Sequence, residues 1–327
     1  VITFGPVPSR RLGRSLGINN IPPKACSYSC VYCQVGPTRT PEVTPRAFYP
    51  PAEVVASVTR RLEAIASRGE AVDWLTFVPD GEPTLDARLA ETLSLLRPLG
   101  IPIAVISNAS LVWREEVRSA LAAADWLSLK VDAVEPAVWA RVNRPHPDLR
   151  LDGILDGILR LAEDFQGTLT TETMLVAGAN DGAESLAAVA DFLAGLQPAV
   201  AYLAVPTRPP AEPGVTPPDE ETLTRAYATL SARLPRVEYL VGYEGDAFAS
   251  TGQVEEDLLA ITAVHPMREE ALRAFLARAG AGWEVVERLI AAGAVRLVDY
   301  RGQRFCARTL QRPSRPTRPA SEGPQSG

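Results

Sequence analysis

The 327-residue sequence predicts an α/β protein: a partial (β/α)6 TIM-like barrel over residues 1–245, a winged-helix-like domain over 253–310 and a disordered tail over 311–327. Three observations lead there. Six short β-branched or apolar runs, each too brief for a helix, alternate with segments of helical period. Near residue 245 that alternation stops, and three helical patterns lead into a hairpin pattern. The last residues are rich in Pro, Ser, Arg and Gly and lack the apolar side chains that ordering requires.

The strands expected, in order, are 14–20 (RSLGINN), 73–78 (DWLTFV), 102–107 (PIAVIS), 125–131 (DWLSLKV), 168–176 (TLTTETMLV) and 200–205 (VAYLAV). Helical patterns lie near 53–67, 85–96, 112–122, 151–163, 183–195 and 218–232. Strands spaced by amphipathic helices pair in parallel through right-handed crossovers, and six such units suggest a barrel or part of one. Its chemistry then belongs at the C-terminal ends of the strands, where the connecting loops gather. In the C-terminal part, EEDLLAITAV, REEALRAFLARA and WEVVERLIAAG read as helices, and LVDYRGQRFCAR reads as a hairpin turning at Arg301-Gly302. The third of these helices carries Glu284 and Glu287 beside Arg288, which argues against sequence-specific DNA reading.

No apolar run is long enough to span a bilayer and the start has no export-signal pattern, so a soluble cytoplasmic protein is expected. The formal net charge of −6 conceals a basic N-terminal stretch, where Arg10, Arg11 and Arg14 form a candidate clamp for an anionic substrate. Arg208, fixed among prolines after the last strand, is a second candidate anion contact. Lysine is rare: Lys24 and Lys130 are the only two, and both fall inside motif segments.

Three of the four cysteines lie within eight residues, in KACSYSCVYCQ. Such a cluster in a reducing compartment indicates metal rather than disulfides. Cys26, Cys30 and Cys33 have the spacing C-x3-C-x2-C, so three thiolates can hold three corners of an iron–sulfur cube and leave the fourth iron open. A structural zinc site would instead need His146 or His265 as its fourth ligand. Cys306, far away on the expected hairpin, reads as a packing residue.

The loop resembles the signature of the radical S-adenosylmethionine (SAM) superfamily, including the aromatic Tyr32 before the last cysteine. The resemblance implies a [4Fe–4S] cluster whose open iron is chelated by SAM. It also implies reductive cleavage of SAM to a 5′-deoxyadenosyl radical that abstracts hydrogen from a substrate. Asp80-Gly81-Glu82-Pro83 matches the Gly-Gly-Glu-type motif that receives the SAM ammonium, with Asp80 in place of the first glycine. Ser107-Asn108, Ser128, Lys130 and Asp132 match positions that line the SAM site, and Glu172 joins them on the fifth strand.

GPVPSRRLGRSLG, VPDGEPTL, TETMLVAGAND and AVPTRPP together resemble an uncharacterised iron–sulfur oxidoreductase group similar to the radical SAM enzymes of wybutosine synthesis. That similarity implies an electron donor such as flavodoxin or ferredoxin and a tRNA nucleoside as substrate. A small metabolite or a peptide is the other substrate class. A non-catalytic redox regulator binding DNA through its winged helix is the alternative outside enzymes. The chain lacks the second cysteine cluster of the wybutosine enzymes.

Overall fold

The computed structural model describes residues 2–240, 248, 250 and 252–309; the expected tail at 311–327 and the expected boundary at 245 lie outside them. An antiparallel hairpin of β1 (Thr3–Ser9) and β2 (Gly13–Ile18) opens the chain. From β2 onward the strands run parallel: β3 (Trp74–Phe77), β4 (Ile103–Ser107), β5 (Trp126–Lys130), β6 (Thr168–Met174), β7 (Val200–Ala204) and β8 (Val237–Leu240). They lie in chain order in one eight-stranded sheet, with β1 and β8 as its unclosed edges. The sheet curls into a partial barrel. Across its concave face Leu12, from the β1–β2 turn, packs with Trp126 and Tyr202.

Helices α1 (Pro51–Ala66), α2 (Leu89–Leu96), α3 (Glu115–Leu121), α4 (Pro136–Asn143), α5 (Leu151–Asp164), α6 (Ala183–Leu196) and α7 (Glu220–Ser231) connect the strands. Their apolar faces form one large core with the outward side chains of the sheet. Proline begins α1 and α4, where a missing N–H costs nothing and the fixed φ favours the helix.

In the barrel, two strands and a helix go beyond the sequence reading, and in the C-terminal part so does the short β9 at Met267–Arg268. β1 contains Pro6 and Pro8 and shifts register between Phe4 and Val7, the tolerance of an edge strand for proline that a periodicity search penalises. β8 occupies Val237–Leu240 among the described residues. α4 is the helix that the periodicity reading omits. The helix expected at 85–96 starts later, at Leu89, after a 3-10 turn at Pro83–Leu85.

The period of two along a strand decides which residues enter the barrel. On β5, Leu127 and Leu129 face the helices, so Trp126, Ser128 and Lys130 face inward. Lys130 is in register with Glu172 on β6, which therefore faces inward beside it.

After β8 the chain forms α8 (Val254–Val264), β9 (Met267–Arg268), α9 (Glu269–Arg278), α10 (Glu284–Ala291), β10 (Val295–Tyr300) and β11 (Gln303–Arg308). The three strands pair in the order β10-β11-β9, and Arg301 and Gly302 turn the hairpin with φ of 50° and 72°. This segment has its own apolar cluster, in which Cys306 is fully buried. It also meets the barrel: Ala260 and Val264 pack on Phe4 of β1, and Arg61 of α1 pairs with the buried Asp257 at 2.6 Å. Among the described residues no helix is long and apolar enough to cross a membrane.

A candidate active site at the cysteine loop

The loop after β2 carries Cys26, Cys30 and Cys33 to the C-terminal rim of the barrel, and each sulfur is half-buried. Backbone pairing fixes the loop against the next one: Glu82 N donates to Ala25 O at 2.9 Å, and Lys24 N donates to Asp80 O at 2.9 Å. Only glycine allows this approach, because a Cβ on Gly81 would lie 1.9 Å from the Ala25 carbonyl oxygen. The cysteine motif and the Asp-Gly-Glu motif are thus one structural unit.

Glu82 is buried and acts as a brace. Its Oε1 accepts from Thr84 N (3.1 Å), Thr84 Oγ1 (2.6 Å) and Ser107 Oγ (2.7 Å), and its Oε2 accepts from Asn108 N (2.7 Å). Burial raises its carboxyl above the ordinary range, although these four bonds oppose the rise. Asp80 beside it is buried too, and burial pushes it up to about 6. Its Oδ1 has no hydrogen-bond partner among the described residues.

Each of the three loop sulfurs has a side-chain nitrogen donor of its own. Asn108 Nδ2 donates to Cys26 Sγ at 3.6 Å, Asn143 Nδ2 to Cys30 Sγ at 3.5 Å, and Lys24 Nζ to Cys33 Sγ at 3.5 Å. Burial pushes the Cys26 thiol up to about 12 and raises that of Cys30 as well, so both are protonated at neutral pH unless a metal takes the proton's place.

The donor set fits an iron–sulfur cluster better than a single ion. All three near ligands are sulfur, the soft ligand such clusters prefer. Among the described residues no three His, Cys, Asp or Glu side chains converge where one ion could sit, as zinc would require. A cube presents a separate iron to each thiolate and needs no such convergence.

The remaining residues take distinct places. Asp132, buried after β5, accepts from the Tyr32 hydroxyl, from Asn143 Nδ2 (2.7 Å) and from Met174 N (2.8 Å); it anchors the cysteine loop from behind. Lys130 donates to Glu172 Oε1 and Arg11 to Glu172 Oε2, each at 2.7 Å. Burial would raise the Glu172 carboxyl, but Lys130 and Arg11 overcome it and hold it down to about 2. Ser128, two residues before Lys130 on the same inward face of β5, lies 3.4 Å from Arg11.

The arginine clamp is corrected. Arg11 turns into the barrel from the β1–β2 turn, between the rings of Trp126 and Tyr202. Arg14 faces out and pairs with Asp73 at 3.1 Å, and Arg10 is exposed on the turn. That turn lies at the N-terminal ends of the parallel strands, opposite the cysteines, so the three do not gather around one anion. Arg208 stands on the cysteine side. Its guanidinium donates to Gln34 Oε1 and meets His265 Nε2, both at 3.0 Å. Burial, then Arg208, push His265 well below its ordinary value, so its ring is neutral and Nε2 accepts.

A cavity of about 320 Å³ runs through the barrel, lined by Arg11, Cys33, Lys130, Glu172, Arg208 and His265 among others. Asn143 and Gln34 escaped the sequence reading, and His265 entered it only as a possible zinc ligand. Lys24 carried one signal, its rarity.

Residues 20–193 match the model of the radical SAM superfamily. UPF0026 protein MJ1312 of Methanocaldococcus jannaschii is 43% identical over 312 residues, 95% of this chain and 97% of its own. A UPF0026 protein of Helicobacter pylori is 34% identical over 211 residues, 64% of this chain and 67% of its own. A radical SAM methyltransferase of Sphaerobacter thermophilus superposes with a TM-score of 0.51 at 19% identity, over 70% of this chain and 67% of that one. Streptococcus suis SuiB bound to S-adenosylmethionine gives 0.51 at 14% identity, over 69% and 51%. At such identities the likeness to these structures concerns the fold.

Proposed function

We propose, for a chain that belongs to the radical SAM superfamily, that Cys26, Cys30 and Cys33 hold three irons of its cluster and that SAM occupies the fourth. The chain is an enzyme of that superfamily, whose cofactors are a [4Fe–4S] cluster and SAM. When bound, these supply reductive cleavage of the sulfonium and hydrogen abstraction from substrate, with electrons from a donor such as flavodoxin or ferredoxin. The observation that carries the assignment is the pairing of the cysteine loop with the Gly81-Glu82 loop, so close that a Cβ on Gly81 would lie 1.9 Å from the Ala25 carbonyl oxygen.

The protein's own groups orient SAM. The Gly81 backbone faces the ammonium, and Glu82 Oε2, engaged by one donor among the described residues, retains acceptor capacity for it. Lys130 offers a cation to the carboxylate, kept in place by Glu172. Asn108 and Ser107 fix the loop edge, and Asp132 sets Tyr32 and with it the last turn before Cys33.

The substrate is a small molecule held in the cavity of about 320 Å³. His265 follows α8 directly and lines that cavity, so the C-terminal segment, a winged-helix-like unit in our reading, contributes to its wall. A tRNA clamp made of Arg10, Arg11 and Arg14 has no support in their placement. DNA reading has none either, since Arg288 on α10 pairs with Glu255 at 2.6 Å.

Anaerobic reconstitution tests the assignment. It should load about four iron and four sulfide per chain, and dithionite with SAM should release 5′-deoxyadenosine. Replacing any of Cys26, Cys30 or Cys33 by alanine should abolish both. Stoichiometric zinc without iron would end the proposal.

A further inference from the structure

The three nitrogen donors on the cysteine sulfurs come from three different parts of the chain. Lys24 is 9 residues from Cys33, Asn108 is 82 from Cys26, and Asn143 is 113 from Cys30. Each is locked by a second contact. Lys24 Nζ also donates to Gly36 O at 2.6 Å, and its backbone takes a φ of 64°. Asn108 Nδ2 also donates to Ser27 Oγ at 3.0 Å, while its Oδ1 accepts from Ser110 N at 2.9 Å. Asn143 is 3% exposed, and its Nδ2 is shared with Asp132. A side-chain donor for each sulfur, each separately immobilised and at Cys26 added to a backbone bond from Tyr28, is more than closing the loop requires.

We propose that Lys24, Asn108 and Asn143 are positioning residues that set the reduction potential of the cluster, with the dominant effect from the Lys24 charge on Cys33. Reduction adds one electron from an external one-electron reductant to the cluster and no proton, so the reduced form carries one more negative charge, spread in part over the thiolate sulfurs. N–H donors and a cation aimed at those sulfurs stabilise the more negative form more than the oxidised one. They therefore raise the potential and make the cluster easier to reduce. The two asparagines contribute dipoles alone, while Lys24 brings a full charge, and it does so at the cysteine that lines the cavity.

This rests on the cluster reading, and the test separates the two. Full-length wild-type, Lys24→Met, Lys24→Arg, Asn108→Leu and Asn143→Leu proteins are reconstituted anaerobically without SAM. Iron and sulfide are counted, and the cluster is titrated with dithionite while its electron paramagnetic resonance signal is followed. At the wild-type midpoint, Lys24→Met should show about a tenfold lower ratio of reduced to oxidised cluster, which is about 59 mV for one electron. Lys24→Arg should stay within about twofold of wild type, and each asparagine variant should fall by about threefold. A fully loaded Lys24→Met protein with the wild-type midpoint overturns the inference. If Lys24→Met fails to load, the asparagine variants decide: a lowered ratio in both supports it, and wild-type midpoints in both overturn it. Wild-type protein that binds no iron removes the cluster reading itself and this inference with it.

Discussion

Gly81 and Ala25 touch backbone to backbone, with 1.9 Å between the Ala25 carbonyl oxygen and the place a Cβ on Gly81 would occupy. Through this contact two motifs separated by some fifty residues of chain become one surface. Gly81→Ala must push the loops apart and lose the bond from Glu82 N to Ala25 O. The expected result is a destabilisation of about 1–3 kcal/mol with iron loading lost or greatly reduced, read by denaturant titration and metal analysis of the same preparation.

Glu172 holds two partly buried cations, Lys130 and Arg11. Its folded-state value is depressed to about 2 from an ordinary 4.5, so its contribution is fully present above pH 4.5 and fades as pH falls towards 2. Glu172→Gln leaves both cations without their shared partner and should cost about 3–5 kcal/mol at neutral pH. Its stability curve should also lack the acid limb between those two values; equal slopes in wild type and variant would contradict the ion-pair account.

Asp80 has the opposite sign. Burial raises its folded-state value to about 6 from an ordinary 3.8, so its protonated form favours folding, and stability from this group declines as pH rises through that interval. Asp80→Asn keeps the shape without the charge. Thermal unfolding should show the variant more stable than wild type above pH 6, by about 1–3 kcal/mol, with the difference vanishing near pH 4. A variant less stable than wild type at pH 7 would mean that a cation satisfies Asp80.

Asp257 is fully buried and joins the C-terminal segment to α1 through Arg61 and to Ser250 at 2.9 Å. Asp257→Ala removes the carboxylate partner of the Arg61 guanidinium, which keeps its bonds to Gly5 O, and should destabilise by about 3–5 kcal/mol. Limited proteolysis should then cleave the chain ahead of α8 faster than in wild type.

Cys306 offers the control for the three loop cysteines. Packed without exposure among Phe275, Val286 and their neighbours, it stands in another cluster of the core. Cys306→Ala should lower stability by about 1 kcal/mol and leave the iron count unchanged, whereas loss of iron would make it a ligand.

Much of the barrel and the centre of its site were legible in the linear sequence because the signals are local. Strand and helix periods repeat within a few residues, three thiols on one loop announce a shared ligand, and Gly81-Glu82 follows a strand at short range. β1 was not legible, because an edge strand tolerates prolines that a central strand forbids. The meeting of Ser128 with Arg11 was not legible either, because the inward face of a strand runs its whole length and no local signal tells which partner a position on it will find.

What the residues alone determined is the type of chemistry: soft sulfur ligands, a carboxylate loop and rare lysines. What the tertiary structure decided is which side chains face each other. Asn143 meets Cys30 across 113 residues, Arg11 reaches Glu172 across 161 and Arg208 meets His265 across 57. Such contacts depend on how the sheet curls and on where the C-terminal segment docks. Both are set by burial summed over many residues, so no short stretch of sequence encodes them.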